Sequence, residues 1–462
     1  MTADTIFSLI KDHFTTSLMG IIMLALLFSI AYFLVYKKLL RGTASISIKP
    51  TIVTFMLVGY ILMVLGVTVF SRGSYYAGSI DLTLFSSYVE AWNEFSVKSW
   101  QFVILNIVMF LPLGILLPLL QDRFKHAAWT LAAAILFTLA IETFQYFTGF
   151  GVFEVDDLFN NTLGAIIGYG MTMSVLKVRN KRLWPTIGYL SPLLLTLLAF
   201  GIVFGTYSLK EFGNLSIAPT KKVNMNETTI ILDVFFNGET DSATPVYQVS
   251  PYSHAEALEE VKELLINKNI DPHEINEDIY TETGVYTLQS EPYYSVWFEF
   301  KDGSYRYNEG LDFEDNVMPK DTDQEILIQK LSEFGITPLD QTNFHQLDTG
   351  RYEWTADLLE KDGQLIDGTL TVEYYSDDSI KSIEQSMITY DKVIDKRLKS
   401  EQKAFNQLME GSFYPYAEHY DKIEIKELNV TYVLDSKGFY QPVYAFKSIV
   451  DGNELDLLIP AL

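Results

Sequence analysis

Apolar stretches alternate with short polar connections over the first 208 residues of the chain and are absent after that. Six of these stretches are long enough to cross a bilayer as α-helices, at about 17–36, 51–70, 101–120, 127–147, 158–176 and 186–207. A polar segment precedes the first stretch and no small-residue cleavage site follows it, so we expect a retained span and not a removed signal peptide. The pattern predicts an α-helical polytopic membrane bundle of six spans in residues 1–208.

Residues 209–462 show shorter helical and strand-like patterns bounded by turn residues. Aromatic and β-branched runs follow each of three helical stretches, which lie near 254–267, 323–335 and 395–410. Turn dipeptides separate these runs, namely Asp302-Gly303, Asp362-Gly363 and Lys437-Gly438. The pattern predicts an α+β domain built from units in which a helix lies on an antiparallel sheet. We expect these units to be repeated copies, at 245–310, 320–390 and 393–462.

The two halves also differ in charge. Residues 1–208 carry 13 Lys/Arg and 10 Asp/Glu, a net charge of +3, whereas residues 209–462 carry 21 and 48, a net charge of −27. Such an acidic domain argues against a nucleic-acid partner and favours cations or a basic protein. In the membrane half, the basic residues concentrate in the connections after the first, third and fifth stretches. The positive-inside rule therefore predicts a multi-pass protein of the cell membrane whose N-terminus and acidic domain are extracytoplasmic.

Three of the predicted spans contain polar side chains that are costly in lipid. A charged residue at the bilayer centre costs about 2.5–3.5 kcal/mol on insertion scales, so such residues persist mostly where they have a function. At a rise of about 1.5 Å per residue, these side chains lie at a similar depth, roughly 6–9 Å from the outer ends of their spans or closer to the surface. We expect one polar binding cluster in the outer leaflet, formed by Asn106, Glu142, Gln145, Asp156, Asp157, Asn160 and Asn161.

Structural explanations compete with a binding role for these residues. Either Asp156 or Asp157 can cap the fifth span, because a carboxylate at a helix N-terminus meets free N–H groups and the helix dipole. The three asparagines can join helices by hydrogen bonds worth about 0.6 kcal/mol each. Glu142 is harder to explain in this way, because it needs protonation or a partner such as Arg72.

Three further residues of the spans predict how the helices pack. Gly164 and Gly168 form a GxxxG pair, the pattern of small residues that lets membrane helices approach closely. Pro112 lies in the middle of the third span and removes a backbone hydrogen bond, which predicts a kink near Asn106.

The sequence lacks most residue patterns of metal and covalent chemistry. There is no Cys, which excludes disulfides and thiolate sites. The six His are scattered without a HExxH motif, and no G-x-S-x-G or phosphate-binding glycine loop occurs. The acidic run from Asp312 to Asp323 lacks the glycine and the final Glu of an EF-hand, so we interpret it as a solvated surface. We expect neither a metal site nor a cofactor.

Three motifs of the membrane half together resemble the VanZ-like family over about residues 50–176. They are LNIVMFLPLGILL (105–117), AIETFQYF (140–147) and VDDLFNNTLGAIIGY (155–169). The resemblance implies a role in teicoplanin or glycopeptide resistance. It also implies that the polar positions of the family fall on Arg72, Asn106, Glu142, Gln145, Asp156, Asp157 and Asn161. One departure is Asp81-Leu82-Thr83-Leu84-Phe85, where such proteins often carry Asn-Leu-x-Pro-Phe.

The last strands of the acidic half, over 440–461, resemble PepSY-like or YycH/YycI-type envelope domains. Such domains are mostly protein-binding modules, so the resemblance implies an envelope protein partner for residues 209–462.

The sequence leaves three functions open. The first is binding, without turnover, of a lipid or of a lipid-linked ligand such as a cell-wall precursor or a lipoglycopeptide. The second is a membrane-embedded enzyme in which Glu142 and Asp156 or Asp157 act as a carboxylate pair on a lipid-linked substrate. The third is a transporter of protons or small ligands. The absence of a nucleophile and of an inverted repeat favours the first function.

Overall fold

The computed structural model describes residues 38, 47–70, 79–178, 183–236, 238, 243–280, 282–310, 317–415, 417 and 419–462. Its Cα positions separate into two compact units, one ending at Glu211 and the other running from Phe212 to Leu462. The predicted span at 17–36, Arg72 and residues 311–316 of the acidic run lie outside the described residues.

The helical unit contains six α-helices in its described part: α1 Ile48–Leu65, α2 Ser86–Glu94, α3 Val97–Leu120, α4 Ala127–Thr148, α5 Val155–Val178 and α6 Leu183–Leu209. A π-helical turn, Gly66–Phe70, extends α1, and a 3-10 turn, Asp122–Lys125, joins α3 to α4. Two short strands, β1 Ile80–Asp81 and β2 Phe153–Glu154, pair in parallel just before α2 and α5.

Four described helices are long and apolar enough to cross a membrane: Ile48–Thr68, Val97–Leu120, Ala127–Thr148 and Thr186–Leu209. The prediction of six spans is therefore not supported. The predicted first span lies outside the described residues, and the predicted fifth span, 158–176, falls on α5. Twelve of the 24 residues of α5 are buried, and many of them are small or polar. A helix that faces other helices needs less apolar surface than one that faces lipid, which explains the lower hydropathy of α5.

The backbone of α5 lies directly against the backbones of α3 and α6. A Cβ atom added to Gly164 would lie 2.0 Å from the carbonyl oxygen of Ile107, and one added to Gly168 would lie 2.1 Å from that of Leu111. On another side of the helix, a Cβ atom at Gly170 would lie 2.1 Å from a carbonyl oxygen of α6. Any larger residue at these positions would separate the helices. The GxxxG pair of the sequence thus lies at the contact between α5 and α3.

Helix α3 contributes a close approach of its own. It runs from Val97 to Leu120 as one helix with Pro112 and Pro118 inside it. A Cβ atom at Gly114 would lie 2.0 Å from the carbonyl oxygen of Ala165 on α5. The two helices are therefore in backbone contact over more than two turns.

The second unit has three helices and fourteen strands in its described part. The helices are α7 His254–Asn267, α8 Gln324–Ser332 and α9 Glu401–Met409. The strands are β3 Thr229–Leu232, β4 Ala243–Gln248, β5 Ile275–Ile279, β6 Thr283–Leu288, β7 Tyr294–Glu299, β8 Tyr305–Glu309, β9 Asn343–Asp348, β10 Arg351–Lys361, β11 Gln364–Tyr374, β12 Ile380–Gln385, β13 Ile388–Arg397, β14 Lys422–Leu434, β15 Phe439–Val450 and β16 Asn453–Pro460.

These strands form one mixed sheet in the order β3-β14-β15-β4-β13-β11-β12-β8-β7-β6-β5. Strand β10 pairs with β11 and β9, and β16 pairs with β15. Strand β3 runs parallel to β14, and the other described pairs of this sheet are antiparallel. Strand β11 changes partner along its length, because residues 364–367 pair with β13 and residues 370–374 pair with β12.

The three helices of this unit pack in two separate cores. Helices α7 and α8 share a core with Tyr286, Trp354 and other buried aromatic residues, and α9 packs in a second core with Phe413 and Phe446. The prediction of a helix near 395–410 is too long, because residues up to Arg397 pair with β4 as part of β13. That the three groups are repeats stays a prediction.

We expect Gly164→Ala or Gly168→Ala to destabilise the helical unit by about 1–3 kcal/mol, because overpacking of a close contact costs that much. Thermal unfolding of the purified protein in detergent would measure the effect. Gly201→Ala on α6 is the matched control, since a Cβ atom there meets nothing within 4 Å. Equal stability of the Gly164, Gly168 and Gly201 variants would contradict the backbone contact.

Candidate functional site

The predicted polar residues lie on three helices, at the end of the bundle where α4 ends and α5 begins. Asn106 lies on α3, Glu142 and Gln145 lie on α4, and the remaining four lie on α5. Five of the seven side chains have a relative exposure of 3% or less: Glu142, Gln145, Asp156, Asn160 and Asn161. Such burial requires hydrogen-bond partners, because an unsatisfied buried polar group costs roughly 1–3 kcal/mol.

Two side-chain hydrogen bonds join α5 to its neighbours within this cluster. The amide of Asn106 donates to a carboxylate oxygen of Asp157, which joins α3 to α5. The amide of Asn161 donates to the hydroxyl of Thr138 over 2.8 Å, which joins α5 to α4. These contacts are of the kind that holds membrane helices together.

A third hydrogen bond brings α1 into the same cluster. Gln145 donates to the backbone carbonyl of Thr68 over 2.9 Å, within the π-helical turn that extends α1. The partners Thr68 and Thr138 carry no sequence signal, because hydroxyl residues are common in such helices.

The register of α4 against α5 places Glu142 near Asp157 in height. Thr138 and Asn161 are bonded, and the two helices run in opposite directions because a short turn joins them. Glu142 on α4 and Asp157 on α5 each lie one helical turn closer to the α4–α5 connection than the bonded residue on the same helix. Two carboxyl-bearing residues and two amides, Asn106 and Asn161, therefore occupy adjacent layers of the bundle.

The side chain of Asp156 belongs to α5 but accepts hydrogen bonds from the start of α2. One of its oxygens accepts from the backbone N–H of Phe85 over 2.5 Å, and the other accepts from the N–H and the hydroxyl of Ser87 over 2.8 and 2.7 Å. Phe85 is the residue just before α2 and Ser87 lies in its first turn, where intrahelical acceptors are lacking. Asp156 also lies in the first turn of α5, so two helix N-termini and their dipoles converge on one carboxylate.

Asn160 is held by α2 as well. Its carbonyl oxygen accepts from the hydroxyl of Tyr88 over 2.5 Å. Burial and then the charge of Asp156 raise the pKa of Tyr88 to about 12, so the hydroxyl keeps its proton and donates. Asp156 and Asn160 together thus fix α2 against the start of α5.

Asp81 is a site residue that sequence reasoning missed. Its oxygens accept from the N–H of Thr83 over 2.8 Å and from the hydroxyl of Ser86 over 2.7 Å, which shapes the entry into α2. Asp81 is also one of the two positions, with Leu84, at which the chain departs from the Asn-Leu-x-Pro-Phe pattern. An Asn would offer one of these two oxygen acceptors, and Asp offers both. The change at position 81 therefore keeps the acceptors of the turn.

Glu154 adds a titratable group beside Asp81. Strand pairing places it opposite Asp81. Burial first, and then the charges of Asp157, Asp81, Asp156 and Glu90, raise the pKa of Glu154 to about 7. The side chain therefore exchanges its proton near neutral pH.

Among the described residues, no group of three or more His, Asp and Glu side chains is arranged to hold a metal ion. The cluster offers amide, hydroxyl and carboxyl groups instead. Such groups recognise a ligand by hydrogen bonding.

The sheet unit has a cleft of about 580 Å³ beside the point at which β11 changes partner. Its lining is aromatic and acidic and includes Tyr252, Tyr305, Glu256, Glu260 and Asp302. No Lys, Arg or His lines it in the described part of the unit. The volume is within the range of ligand sites.

We expect Asp156→Ala to release α2, because the substitution removes the acceptor of two backbone N–H groups. Charge-assisted hydrogen bonds contribute about 1.5–3 kcal/mol, so local opening of residues 83–94 should become easier by that amount. Hydrogen exchange followed by mass spectrometry would measure it. Asp156→Asn keeps one oxygen acceptor and should have a smaller effect. Unchanged exchange in the Ala variant would refute this role.

We expect Glu154 to make stability depend on pH. An unfolded Glu has a pKa near 4.5, so folding favours the protonated form. The stabilising contribution is complete below about pH 4.5 and is lost as the pH rises through about 7. The melting temperature of the parent should therefore fall relative to Glu154→Gln over that interval. Glu94→Gln, at an exposed position, is the control. A difference that does not vary with pH would argue against a raised pKa.

Comparisons with known structures give two distant similarities. A crystal structure of an uncharacterized protein from Eubacterium rectale ATCC 33656 is 12% identical, covers 50% of this chain and 86% of that chain, and has a TM-score of 0.26. The Bacillus megaterium YpeB C-terminal domain is 10% identical, covers 46% of this chain and 93% of that chain, and has a TM-score of 0.19. At such scores neither carries an argument about this chain. No curated protein sequence matches it.

The comparison with protein families concerns the helical unit. Residues 55–177 match the family VanZ-LLP1, described as VanZ/LLP1. The match includes all three motifs on which the resemblance was predicted, and it spans helices α2 to α5 with most of α1. The predicted resemblance is confirmed: residues 55–177 of the helical unit are similar to the VanZ-like family.

Proposed function

We propose that this VanZ-like membrane protein binds a lipid or a lipid-linked ligand in the outer leaflet, through the polar cluster of α3, α4 and α5. One observation carries the proposal. The side-chain oxygen of Asn161 is buried among these helices and accepts no hydrogen bond from the described residues. A buried acceptor without a donor is costly, and such groups are found where a ligand or water supplies the missing bond.

Basic residues at one end of the bundle support an orientation in the membrane. Arg123 and Lys125 lie in the turn between α3 and α4, and Lys177 lies in the last turn of α5. These residues mark one end of the bundle, and the positive-inside rule assigns that end to the cytoplasm. We therefore place the polar cluster in the outer leaflet and the acidic sheet unit outside the cell. Helix α5 crosses the membrane as a central helix, because α3, α4 and α6 cover it.

The residues of the cluster divide into two roles. Asp156 and Asn160 are engaged with α2 and position the start of α5. Asn106, Glu142, Asp157 and Asn161 form the layers that meet the ligand. Carboxyl groups and an amide oxygen accept hydrogen bonds, so they suit a ligand that donates them. A hydroxyl-, amide- or amine-bearing head group of a cell-wall precursor or lipoglycopeptide fits this chemistry better than a phosphate.

An enzyme is the second candidate, and the similar height of Glu142 and Asp157 favours it. Two carboxyl groups in different surroundings can take the roles of acid and base. Retained ligand binding with no change of the ligand over time would exclude turnover.

The sheet unit serves as a docking module in this proposal. Its net charge of −27 and the acidic, aromatic lining of its cleft suit a basic segment of an envelope protein. An aromatic ring and a carboxylate together bind a Lys or Arg side chain by cation–π and ionic contact.

The decisive experiment is susceptibility to teicoplanin and vancomycin in a sensitive Gram-positive host. Strains would carry the empty vector, the intact chain, or the Glu142→Gln/Asp157→Asn variant at matched membrane levels. We expect teicoplanin tolerance from the intact chain and its loss in the variant, because both lost carboxyl groups face the ligand.

The control is Glu94→Gln/Asp122→Asn, which makes the same two chemical changes at exposed positions. It should keep the tolerance. Tolerance that survives in the Glu142/Asp157 variant would rule out the cluster as the binding site. An intact chain without any tolerance would dismiss the antibiotic ligand.

A further inference from the structure

The segment from β1 into α2, residues 80–89, has its apolar side chains on the outside. Its five large apolar residues have relative exposures of 37% to 71%, and they are Ile80, Leu82, Leu84, Phe85 and Val89. Leu82 is the most exposed of them. In a water-soluble loop, hydrophobic burial would favour the opposite arrangement.

The polar side chains of the same segment point inward. Asp81 is bonded to Thr83 and Ser86 within the segment. Ser87 donates to the buried carboxylate of Asp156, and Tyr88 donates to the buried Asn160. The segment is therefore inverted relative to a surface loop in water, with hydrogen bonds on its inner side and hydrocarbon on its outer side.

The apolar side continues onto the exposed part of α5. The ring of Phe85 lies edge-on to that of Phe159 on α5, at 5.2 Å between centroids, and Phe159 is itself 38% exposed. Tyr88 completes this aromatic group at 5.7 Å from Phe85. A surface that continues the apolar exterior of the bundle meets the same surroundings as the bundle, namely lipid.

The second half of α2, from Glu90 onward, has the features of a membrane boundary. Glu90 and Glu94 are exposed there. Trp92 and Phe95 pack against Tyr207 near the end of α6, and Lys210 lies over the ring of Trp92. Aromatic rings with a basic residue beside them are typical of the level of the lipid head groups.

We propose that residues 80–89 form a lipid-contacting segment, which lies in the interfacial region of the leaflet at the α4–α5 end of the bundle. Leu82, Leu84 and Val89 extend towards the acyl chains, and Glu90 and Glu94 face the head groups. Asp156 holds this segment at that depth through the first turn of α2. The inference concerns a surface of the protein and does not depend on the ligand of the polar cluster.

The absence of Cys from the chain makes a direct test simple. Single-Cys variants at Leu82, Leu84 and Glu90 would each receive one nitroxide label in the full-length protein. The protein would be reconstituted into vesicles of phosphatidylethanolamine and phosphatidylglycerol. Collisions of the label with oxygen, which concentrates in lipid, would be compared with collisions with a water-soluble nickel chelate.

Two further variants calibrate the measurement. Leu195→Cys reports lipid, since that residue is exposed on the membrane helix α6, and Lys361→Cys reports water, since it is exposed at the end of β10. We expect the ratio of oxygen to nickel collisions at 82 and 84 to approach that at 195. The ratio at 90 should lie closer to that at 361. Gel filtration of each variant verifies its fold.

Two results would overturn the proposal. Labels at 82 and 84 that collide with nickel as readily as the label at 361 would place the segment in water. Labels that collide with neither reagent would show that protein covers it, as in a contact with a second copy of the chain. Both results leave the susceptibility experiment unaffected, so a failure of this proposal is distinguishable from a failure of the proposed function.

Discussion

The helical unit depends on the backbone contact between α5 and α3. Membrane helices gain no hydrophobic driving force from facing each other, so they associate through close packing and hydrogen bonds. Glycines at 164 and 168 bring the two backbones together, and the same proximity lets the amide of Asn106 reach Asp157. The polar cluster therefore exists because α5 is enclosed. An enclosed helix can carry side chains that would be too costly on a surface exposed to lipid.

Two carboxyl groups at the start of α5, those of Asp156 and Glu154, respond to burial in different ways. Asp156 receives N–H donors from α2 and lies at two helix N-termini, which offset the loss of hydration. Glu154 lies two residues earlier, among other acidic residues, and burial raises its pKa to about 7. The start of α5 combines a fixed acceptor with a titratable group.

Helical periodicity and the depth of polar residues predicted one polar cluster on three helices, from the rise per residue and the cost of charge in lipid, and the bond from Asn106 to Asp157 lies within that cluster. They did not predict the partners. Thr138 and Thr68 are ordinary residues of apolar helices, and Asp156 bonds to backbone N–H groups of α2, which carry no side-chain signal. The apolar pattern also predicted a span at 158–176, but α5 is not among the four described helices that are apolar enough to cross a membrane, because an enclosed helix does not need an apolar surface. In the sheet unit, turn dipeptides indicated the hairpins, but the partner change of β11 depends on long-range pairing that no local pattern records.

Because α3 and α5 approach closely, the two helices tolerate substitutions differently where Gly164 and Gly168 meet α3. On α3 the contact is made by carbonyl oxygens of Ile107 and Leu111, which every amino acid provides. On α5 it is made by the absence of a side chain, which only glycine provides. Sequence drift at positions 107 and 111 leaves the backbone contact intact, whereas positions 164 and 168 have no acceptable substitute. These two points of the contact are in this way recorded in the sequence of α5, whereas the third is recorded in α3 by Gly114, which meets the carbonyl oxygen of Ala165.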